Sequence, residues 1–316
     1  MKLLRHSYSL SQGCVATIGS FDGIHRGHAA LLQLLVVEAK QRHLPSVVIL
    51  FEPQPREFFA PEQAPVRLTS LREKLRLLKK FDIDYVVCLR FNSKLAQLQA
   101  TDFVLEILVK QLQVKYILIG DDFRFGKQRL GDFTLLQTMG AQYNFTVASM
   151  HTLQEDNERI SSTMIRESLV QGDLAKAQRA LGHPFHLSGR VRRGAGRGRQ
   201  WGFPTANVAV PRYGLPLSGV FVVRVNSNQL KSHPAVANIG TRPTVDGTRT
   251  VLEVLLLDFN DDLYGQRLEI EFLQKLRDEK KFDTVELLLA QIAKDVEEGK
   301  EFFKLHPCES KTGCQS

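Results

Sequence analysis

The sequence predicts an α/β protein: a doubly wound parallel sheet in its N-terminal half, followed by a small antiparallel β-barrel with a C-terminal helix. Up to about residue 181, short apolar runs alternate with amphipathic helical stretches. This alternation is typical of parallel sheets whose strands are buried on both faces. From about residue 184 the pattern changes to short strands separated by glycine turns, which favours a closed barrel. The last helical stretch runs from about residue 283 to residue 303.

Length, composition and charge restrict the class of protein. The chain has 316 residues, enough for two domains with separate cores. Its 43% hydrophobic and 24% charged residues are ordinary for a globular protein, and its net charge of +8 suits nucleotides or nucleic acid. No secretory leader is evident, no apolar run reaches the about 20 residues of a membrane span, and the four cysteines are scattered without zinc spacing. We therefore expect a cytoplasmic protein without a membrane partner.

Five apolar runs are predicted to form the parallel sheet: residues 15–18, 46–51, 85–89, 116–120 and 145–148. Helical patterns that begin at residues 28, 69 and 101 lie between successive runs. In a sheet of this kind, ligands bind beyond the carboxyl ends of the strands. The loops after the first and fourth runs are therefore candidate binding loops.

The loop after the first run is rich in glycine and leads into a helix. Gly19, Gly23 and Gly27 punctuate it, and His25 and His28 lie at the start of the helix. A helix N-terminus favours a phosphate group, and each imidazole can donate a hydrogen bond to a phosphate oxygen. The alternative is a glycine turn that only connects strand to helix, and the two histidines argue against it.

Two further segments carry groups that suit phosphate. Residues 120–126 follow the fourth run; on their own they also fit a polar loop with two anchoring aromatic rings. In the second segment, three hydroxyl residues at 161–163 are followed by Arg166 one helical turn later. A helix cap explains one hydroxyl, whereas the whole cluster suits a triphosphate. Gln54, beyond the second run, is given no catalytic role because its side chain carries no charge.

These segments resemble the nucleotidyltransferase superfamily, and residues 25–28 match its HxGH motif. The longer run F-D-G-x-H-x-G-H resembles the prokaryotic flavin adenylyltransferase branch, whose G-x-D-F-x-F-G and I-S-S-T-x-I-R motifs match residues 120–126 and 160–166. That branch commonly has His where this chain has Gln54. The resemblance implies catalytic roles for His28 and Arg166. It implies an ATP site formed by Gly19, Phe21, Gly23, His25, His28, Asp122, Phe125, Arg159, Ser162, Thr163 and Arg166.

In the C-terminal half, an arginine-glycine loop at residues 193–199 precedes Thr205 and Asn207. These two residues are two positions apart, so in a strand they share one face. Their hydroxyl and amide oxygens suit Mg²⁺, and the loop suits phosphate because glycines allow close backbone approach. Two alternatives stay open: a flexible basic loop, and an RNA-binding segment, although aromatic residues are not interleaved through it.

Glu253 interrupts an otherwise apolar predicted strand, where its face is shared with Val251 and Leu255. A carboxylate that points into a partly apolar site is a candidate general base. The alternative is a glutamate on the solvent-facing side of an edge strand.

The run G-R-G-R-x-x-G-F-P-T-A-N at residues 196–207 resembles the riboflavin kinase signature, with Trp201 where that family often has Leu. Residues 252–265 resemble the neighbourhood of its catalytic Glu, with Leu255 in place of the usual His. The resemblance implies that Thr205 and Asn207 bind Mg²⁺ and that Glu253 is catalytic. It implies nucleotide binding by Gly194, Gly196, Arg197, Gly198, Thr205 and Asn207, and flavin binding by Arg277, Asp278 and Phe282.

The two resemblances follow one another in the order found in the bacterial bifunctional riboflavin kinase/FAD synthetase family. They imply an FMN adenylyltransferase domain at residues 1–183, a riboflavin kinase domain at residues 184–306 and a disordered tail at residues 307–316. They also imply ATP as co-substrate, Mg²⁺, and riboflavin, FMN and FAD as substrates or products. We expect no nucleic-acid partner and a monomer or weak homo-oligomer.

Two functions from other classes stay open. The HxGH motif allows a synthetase-like enzyme that acts with tRNA, although no literal KMSKS sequence occurs. The basic loop allows an RNA-binding protein.

Overall fold

The computed structural model describes residues 1–5, 9–150, 154–155, 158–194, 197–210, 214–244 and 247–307. Contacts within the chain divide it into two compact units, Met1–Ser162 and Thr163–Ser316. The expected domain boundary between residues 183 and 184 stays a prediction. The expected disordered tail lies, apart from Pro307, outside the described residues.

The first unit contains a six-stranded sheet in which every neighbouring pair of strands is parallel. Its strands are β1 (Lys2–Leu4), β2 (Cys14–Ile18), β3 (Ser46–Glu52), β4 (Tyr85–Arg90), β5 (Val114–Gly120) and β6 (Thr146–Met150). The five predicted strands are confirmed. Strand β1 was missed because three residues at the sheet edge carry too little periodicity to be recognised.

In the strand order β1-β4-β3-β2-β5-β6, β3 and β4 are added on one side of β2, whereas β5 and β6 are added on the other side. The order therefore reverses between β2 and β5, although both strands run in the same direction. These two strands are direct neighbours, with Thr17 paired to Leu118. In an open α/β sheet, the crevice beyond such a reversal point is where ligands bind. The loops that follow Ile18 and Gly120 therefore lie side by side at this crevice.

Helices cover both faces of the sheet. They are α1 (Arg26–Gln41), α2 (Pro55–Phe59), α3 (Leu71–Leu78), α4 (Ser93–Ala96), α5 (Ala100–Phe103), continued by a π-helical stretch at Val104–Gln111, and α6 (Phe133–Tyr143). Val15 packs with Leu32 and Leu35 on one face, whereas Ala16 packs with Val104 and Leu136 on the other. The prediction of a doubly wound sheet is thereby confirmed. A short hairpin, β7 (Gln154–Glu155) and β8 (Glu158–Arg159), follows the sheet.

Helix α3 begins at Leu71, two residues after the predicted start at residue 69, because Ser70 is its cap. The Ser70 hydroxyl accepts a hydrogen bond from the Glu73 backbone N–H at 3.3 Å, and the Glu73 carboxylate accepts one from the Ser70 N–H at 2.7 Å. This reciprocal capping box satisfies two backbone donors that would otherwise be unpaired.

Helix α7 (Ser162–Val170) leads into the second unit, where α8 (Leu174–Leu181) follows. The barrel strands are β9 (His186–Arg192), β10 (Ala206–Val208), β11 (Gly219–Asn226), β12 (His233–Thr244), β13 (Gly247–Leu256) and β14 (Arg267–Arg277), with the short helix α9 (Arg197–Gln200) before β10. They close in the order β10-β13-β12-β11-β14-β9, and all pairs are antiparallel. The predicted closed antiparallel barrel is confirmed.

The final helix, α10 (Val285–Leu305), packs against the outside of the barrel. Its Val296 and Phe303 contact Val220, Val236 and Leu257 of the barrel. The Thr284 hydroxyl caps it by accepting a hydrogen bond from the Leu287 N–H at 3.3 Å. No helix in the described part of the chain is long and apolar enough to cross a membrane.

Candidate active sites

The loop between β2 and α1 is held in an uncommon backbone conformation. Phe21, Gly23 and Ile24 have φ values of 47°, 83° and 43°, in the left-handed region that only glycine adopts easily. Phe21 and Ile24 are nonetheless buried, at 1% and 3% exposure. Strained residues persist only where their surroundings fix them, and such residues cluster at ligand sites.

His25 and His28 lie together at the start of α1. His25 is the N-cap residue, and its Nδ1 accepts a hydrogen bond from the His28 backbone N–H at 3.3 Å. The two rings stack with centroids 3.7 Å apart. Because Nδ1 of His25 is an acceptor, the neutral ring carries its proton on Nε2 and can donate it to a ligand.

Burial lowers the pKa of both histidines. That of His25 falls to about 4, mainly through burial, with Asp22 opposing and Arg159 reinforcing the shift. That of His28 lies well below its ordinary value through burial, then through the charges of His25 and Lys74. Both rings are therefore neutral at pH 7. Nδ1 of His28 is buried without a hydrogen-bond partner among the described residues, an arrangement that a ligand or water must complete.

The buried Asp22 ties this loop to the segment before α3. Its carboxylate accepts hydrogen bonds from the Leu68 and Thr69 backbone N–H groups, both at 3.0 Å, and from the Thr69 hydroxyl at 3.1 Å. Thr69 Oγ1 in turn accepts from the Gly23 N–H at 3.0 Å. Lys74 of α3, also buried, donates from Nζ to the Ser20 carbonyl. Sequence reasoning missed Thr69 and Lys74 because their partners are about 50 residues away.

A cavity of about 280 Å³ opens beside this loop, and three chain segments supply most of its lining. These are the loop after β2, the segment after β5 and the segment before α7. On the wall of this cavity Arg159 and Asp122 form an ion pair, with 2.6 Å between Nη2 and Oδ2. The predicted residues on its wall are Gly19, Phe21, His25, His28, Asp122, Arg159 and Ser162.

The other predicted residues of this set lie elsewhere. Gly23 is buried within the loop itself. Phe125 lies in the core, stacked on Phe123, and Phe123 lines the cavity. Thr163 and Arg166 lie in the first turns of α7. The Ser162 hydroxyl that begins this helix donates to the Asp22 carbonyl at 2.8 Å. This bond fixes Ser162, the last residue of the first unit, against the glycine-histidine loop.

In the barrel, the predicted residues meet on adjacent strands. Asn207 of β10 is the direct cross-strand neighbour of Glu253 on β13, and Glu253 is the direct neighbour of Asn238 on β12. Direct neighbours in an antiparallel sheet point to the same side. The three side chains therefore form one row, and Asn238 was not predicted because the register between strands is not readable from local sequence.

Two glycines of the basic loop allow close approach to Thr205 and Asn207. A Cβ atom on Gly194 would overlap the Asn207 carboxamide, and one on Gly198 would overlap the Phe203 carbonyl and lie 3.3 Å from Thr205 Oγ1. Gly196 lies outside the described residues, and the side chain of Arg197 is likewise not described. The backbone at Gly194 therefore lies close to Asn207, and the backbone at Gly198 lies close to Thr205.

Two cavities meet at Thr205. The larger, of about 480 Å³, lies between the barrel and α10, and its wall includes Glu253, Asn238 and Phe282. The smaller, of about 390 Å³, is lined by Pro204, Tyr264 and residues 259–263. Thr205 lines both cavities.

The predicted flavin-binding residues lie around the larger cavity. Arg277 and Phe282 line it, and the guanidinium carbon lies 5.8 Å from the centre of the Phe282 ring. The exposed Asp278 carboxylate instead forms an ion pair with Lys275 at 2.6 Å. Arg277 is held by the buried Asp295 of α10.

The donor set near Thr205 suits a hard cation. The hydroxyl of Thr205 and the amide oxygen of Asn207 are oxygen ligands of the kind that Mg²⁺ accepts together with phosphate oxygens. Because Gly194 has no side chain, its backbone can lie directly beside the Asn207 carboxamide. The described residues include no group of three or more His, Cys, Asp or Glu residues that could hold a metal by themselves. The residues therefore fit a magnesium ion that arrives with a nucleotide.

Comparison with known proteins agrees with the division into two sites. The family model for FAD synthetase matches residues 7–164, and the model for riboflavin kinase matches residues 181–303. The chain is 52% identical over 309 residues to the bifunctional riboflavin kinase/FMN adenylyltransferase of Escherichia coli K12, covering 96% of this chain and 99% of that protein. It is 48% identical over 300 residues to the protein of the same name from Pseudomonas fluorescens, covering 94% and 96%.

A crystal structure described as a macrolide-efflux protein from Streptococcus pneumoniae has a similar fold. It superposes with a TM-score of 0.82 at 30% identity, covering 94% of this chain and 98% of that one. The two family models match the chain in the same order as the two sites. The chain belongs to the family of bifunctional riboflavin kinase/FMN adenylyltransferases.

Proposed function

We propose that the barrel transfers the γ-phosphoryl group of ATP to the 5′-hydroxyl of riboflavin, giving FMN and ADP. The first unit then joins FMN to the adenylyl group of a second ATP, giving FAD and pyrophosphate. The observation that carries the proposal is that each compact unit has its own cavity, with its own charged and hydrogen-bonding groups. The activities named for the curated relatives support the same assignment.

The two cavities at Thr205 suit the two substrates of the kinase reaction. The larger one has aromatic walls at Trp201, Phe203 and Phe282, which suit the planar flavin ring. It also contains Glu253, which the reacting hydroxyl must reach. Riboflavin therefore occupies the larger cavity, with Arg277, Asp278 and Phe282 on its flavin side, and ATP occupies the smaller one.

The kinase chemistry needs a base and a means of holding phosphate. The 5′-hydroxyl oxygen attacks the γ-phosphorus, the bond from that phosphorus to the bridging oxygen breaks, and ADP leaves. The Glu253 carboxylate accepts the hydroxyl proton as the new bond forms. The backbone of the basic loop, with Gly194, Gly196, Arg197 and Gly198, surrounds the phosphate groups.

Thr205 and Asn207 would hold Mg²⁺ together with phosphate oxygens. When bound, the ion supplies neutralisation of the charge on the triphosphate. The residues themselves orient the nucleotide, because Gly194 and Gly198 pack the loop onto them.

In the first unit the FMN phosphate is already an anionic nucleophile, so no base is required. Its oxygen attacks the α-phosphorus of ATP, the bond to the β-phosphate oxygen breaks, and pyrophosphate leaves. The neutral His25 and His28 donate N–H groups to the charge that develops in the transition state. Ser162, Thr163 and Arg166 at the start of α7 contact the triphosphate, and Gly19, Phe21, Gly23, Asp122, Phe125 and Arg159 shape the site.

We also propose the domain bounds, cellular location, oligomeric state and partners of the enzyme. Its domains are residues 1–183 and 184–306, and it acts in the cytoplasm as a monomer or weak homo-oligomer on small molecules, without a nucleic-acid or membrane partner. The buried free thiols of Cys14 and Cys88 suit a reducing compartment. The cavities, of about 280, 390 and 480 Å³, suit small molecules.

The test is to incubate the purified protein with riboflavin, ATP and Mg²⁺ and to separate the flavins by chromatography over time. We expect FMN to form first and FAD to follow. Glu253→Gln should lower FMN formation from riboflavin by about 100-fold or more while FAD still forms from supplied FMN. His28→Ala should lower FAD formation by about 100-fold while FMN still forms from riboflavin. Amino-acid-dependent exchange of pyrophosphate into ATP, or salt-sensitive RNA binding that ATP and flavin do not compete, would favour the two alternative functions instead.

A further inference from the structure

Asn238 is the third member of the row that contains Asn207 and Glu253. It pairs directly with Glu253 across β12 and β13. Direct cross-strand neighbours have Cβ atoms about 5 Å apart. Any substrate group that reaches the Glu253 carboxylate therefore passes within reach of the Asn238 side chain.

The Asn238 carboxamide has neither its donor nor its acceptor engaged by any residue that the structure describes. It is half-buried and lines the larger cavity beside Glu253 and Leu255. Val236, two residues earlier on the same face, is buried beneath α10. A half-buried carboxamide without a protein partner leaves its donor and its acceptor open to a ligand or water in the cavity.

The neighbours of Asn238 indicate which part of riboflavin it faces. The 5′-hydroxyl is placed at Glu253 by the proposed chemistry, and the aromatic walls at Trp201 and Phe282 suit the flavin ring. The group between these two points is the ribityl chain. Its hydroxyls both donate and accept hydrogen bonds, and a carboxamide is the side-chain type that offers both functions without charge.

We propose that Asn238 is a specificity-determining residue that hydrogen-bonds the ribityl hydroxyls next to the reacting 5′-hydroxyl. The proposal rests on the proposed riboflavin kinase function. In this role Asn238 selects flavins that carry a polyhydroxyl chain. It also positions that chain alongside the row formed by Asn207, Glu253 and Asn238. It leaves recognition of the ring to other residues of the cavity.

The test compares two ligands on the full-length protein. Riboflavin carries the ribityl chain, and lumiflavin carries a methyl group in its place. Asn238→Leu keeps the approximate volume but removes both hydrogen-bonding functions. We expect its dissociation constant for riboflavin, measured by quenching of flavin fluorescence, to rise about tenfold, and that for lumiflavin to stay within about twofold. The KM for riboflavin should rise in parallel, with the KM for ATP unchanged.

A matched control is Asn228→Leu, the same change at an exposed position between β11 and β12. It should leave both dissociation constants unchanged. Asn238→Ser, which keeps a short hydrogen-bonding group, should lie between wild type and Asn238→Leu for riboflavin. Near-ultraviolet circular dichroism and ATP binding report whether each variant keeps a folded barrel.

Three outcomes would overturn the proposal. Riboflavin affinity that is unchanged in Asn238→Leu means that the residue does not contact the substrate. An equal loss for riboflavin and lumiflavin places its effect on the ring or on the shape of the cavity. A variant that loses its fold, while Asn238→Ser folds and binds riboflavin as wild type does, makes the role structural. If the wild-type protein does not phosphorylate riboflavin, the proposed function fails first, and the inference fails with it.

Discussion

The guanidinium of Arg277 at the end of β14 is clamped by the carboxylate of Asp295 on α10. Its Nε donates to Oδ1 at 2.9 Å and its Nη2 donates to Oδ2 at 2.7 Å. The Gln291 side-chain amide donates a further hydrogen bond to Oδ1, also at 2.9 Å. The Asp295 side chain is 5% exposed, so the pair is shielded from solvent on one side. This clamp joins the last strand to the last helix at the wall of the larger cavity.

Asp295→Asn should weaken riboflavin binding while keeping the shape of the helix. The amide cannot accept both guanidinium bonds, so Arg277 loses its fixed position over the cavity. We expect the KM for riboflavin to rise about tenfold, equivalent to about 1.4 kcal/mol, and kcat to change much less. FAD formation from supplied FMN is the control, since that site lies in the other unit. A double-mutant cycle with Arg277→Met should be non-additive, and strict additivity would contradict coupling of the pair.

His28→Ala should lower adenylyl transfer to FMN by about 100-fold. The reason is the loss of a donor aimed at charge that develops in the transition state, and such losses cost roughly 10²-fold or more. His28→Asn, which keeps an N–H donor, should retain more activity than the alanine variant. Phosphorylation of riboflavin provides the control. FAD formation at the parental rate in His28→Ala would show that the ring only packs against Phe21 and His25.

The pKa of His25 should be about 4 when measured directly. In the unfolded chain it is about 6.5, so unfolded molecules take up the proton first as the pH falls. The contribution of the neutral ring to stability is therefore complete above about pH 6.5 and is lost as the pH falls from there toward 4. The measurement is an NMR titration of the ring Cε1–H resonance, assigned by its absence in His25→Gln. A midpoint near 6.5 would mean that the ring is solvated.

Gly194→Ala should raise the Mg²⁺ concentration that the kinase requires. The added Cβ overlaps the Asn207 carboxamide and displaces a predicted ligand oxygen. We expect the half-saturating Mg²⁺ concentration at fixed ATP to rise about tenfold, corresponding to about 1.4 kcal/mol. Gly202→Ala is the matched control, because a Cβ there meets no atom within 4 Å, although its φ of 81° costs some stability. An equal Mg²⁺ dependence in both variants would argue against a role for the close approach of Gly194 to Asn207.

Local sequence patterns predicted most of the sheet and barrel strands and several of the residues on the cavity walls. The strands ending at Ile18 and Gly120 were predicted, and the reversal of strand order brings their loops together as expected. The first loop was predicted because its glycines and histidines lie close together in the sequence. The backbone conformations that glycine allows, and the ability of histidine to donate to phosphate, depend on these nearby residues alone. The barrel strand that holds Glu253 was predicted because six apolar residues surround one carboxylate.

Relationships between distant residues were not predicted. The bonds of Asp22 to Thr69, and of Arg277 to Asp295, depend on how elements pack, and neither partner has a distinctive local pattern. The pairing of Asn238 with Glu253 depends on strand register, which turns and core packing determine together. The packing of Phe125 was not predicted either: its ring lies in the core and stacks on Phe123, which lines the cavity.

Glu253→Gln tests the chemistry of the kinase site most directly. Gln keeps the shape and hydrogen-bonding capacity of Glu but cannot accept the hydroxyl proton. If Glu253 is the general base, kcat for riboflavin phosphorylation should fall by about 100-fold or more, with the affinities for riboflavin and ATP changed far less. Gln is preferred to Ala because truncation would also leave a cavity between β12 and β10.

The position of Glu253 makes this separation of effects possible. It lies in the middle of the row, between Asn207 on the metal side and Asn238 on the proposed ribityl side. A loss of proton acceptance alone leaves both neighbours able to bind their ligands, so kcat falls and KM does not. Stopped reactions that give FMN at the parental rate in a folded Gln variant would eliminate Glu253 as the base. A rise in KM equal to the fall in kcat/KM would instead assign it to substrate binding.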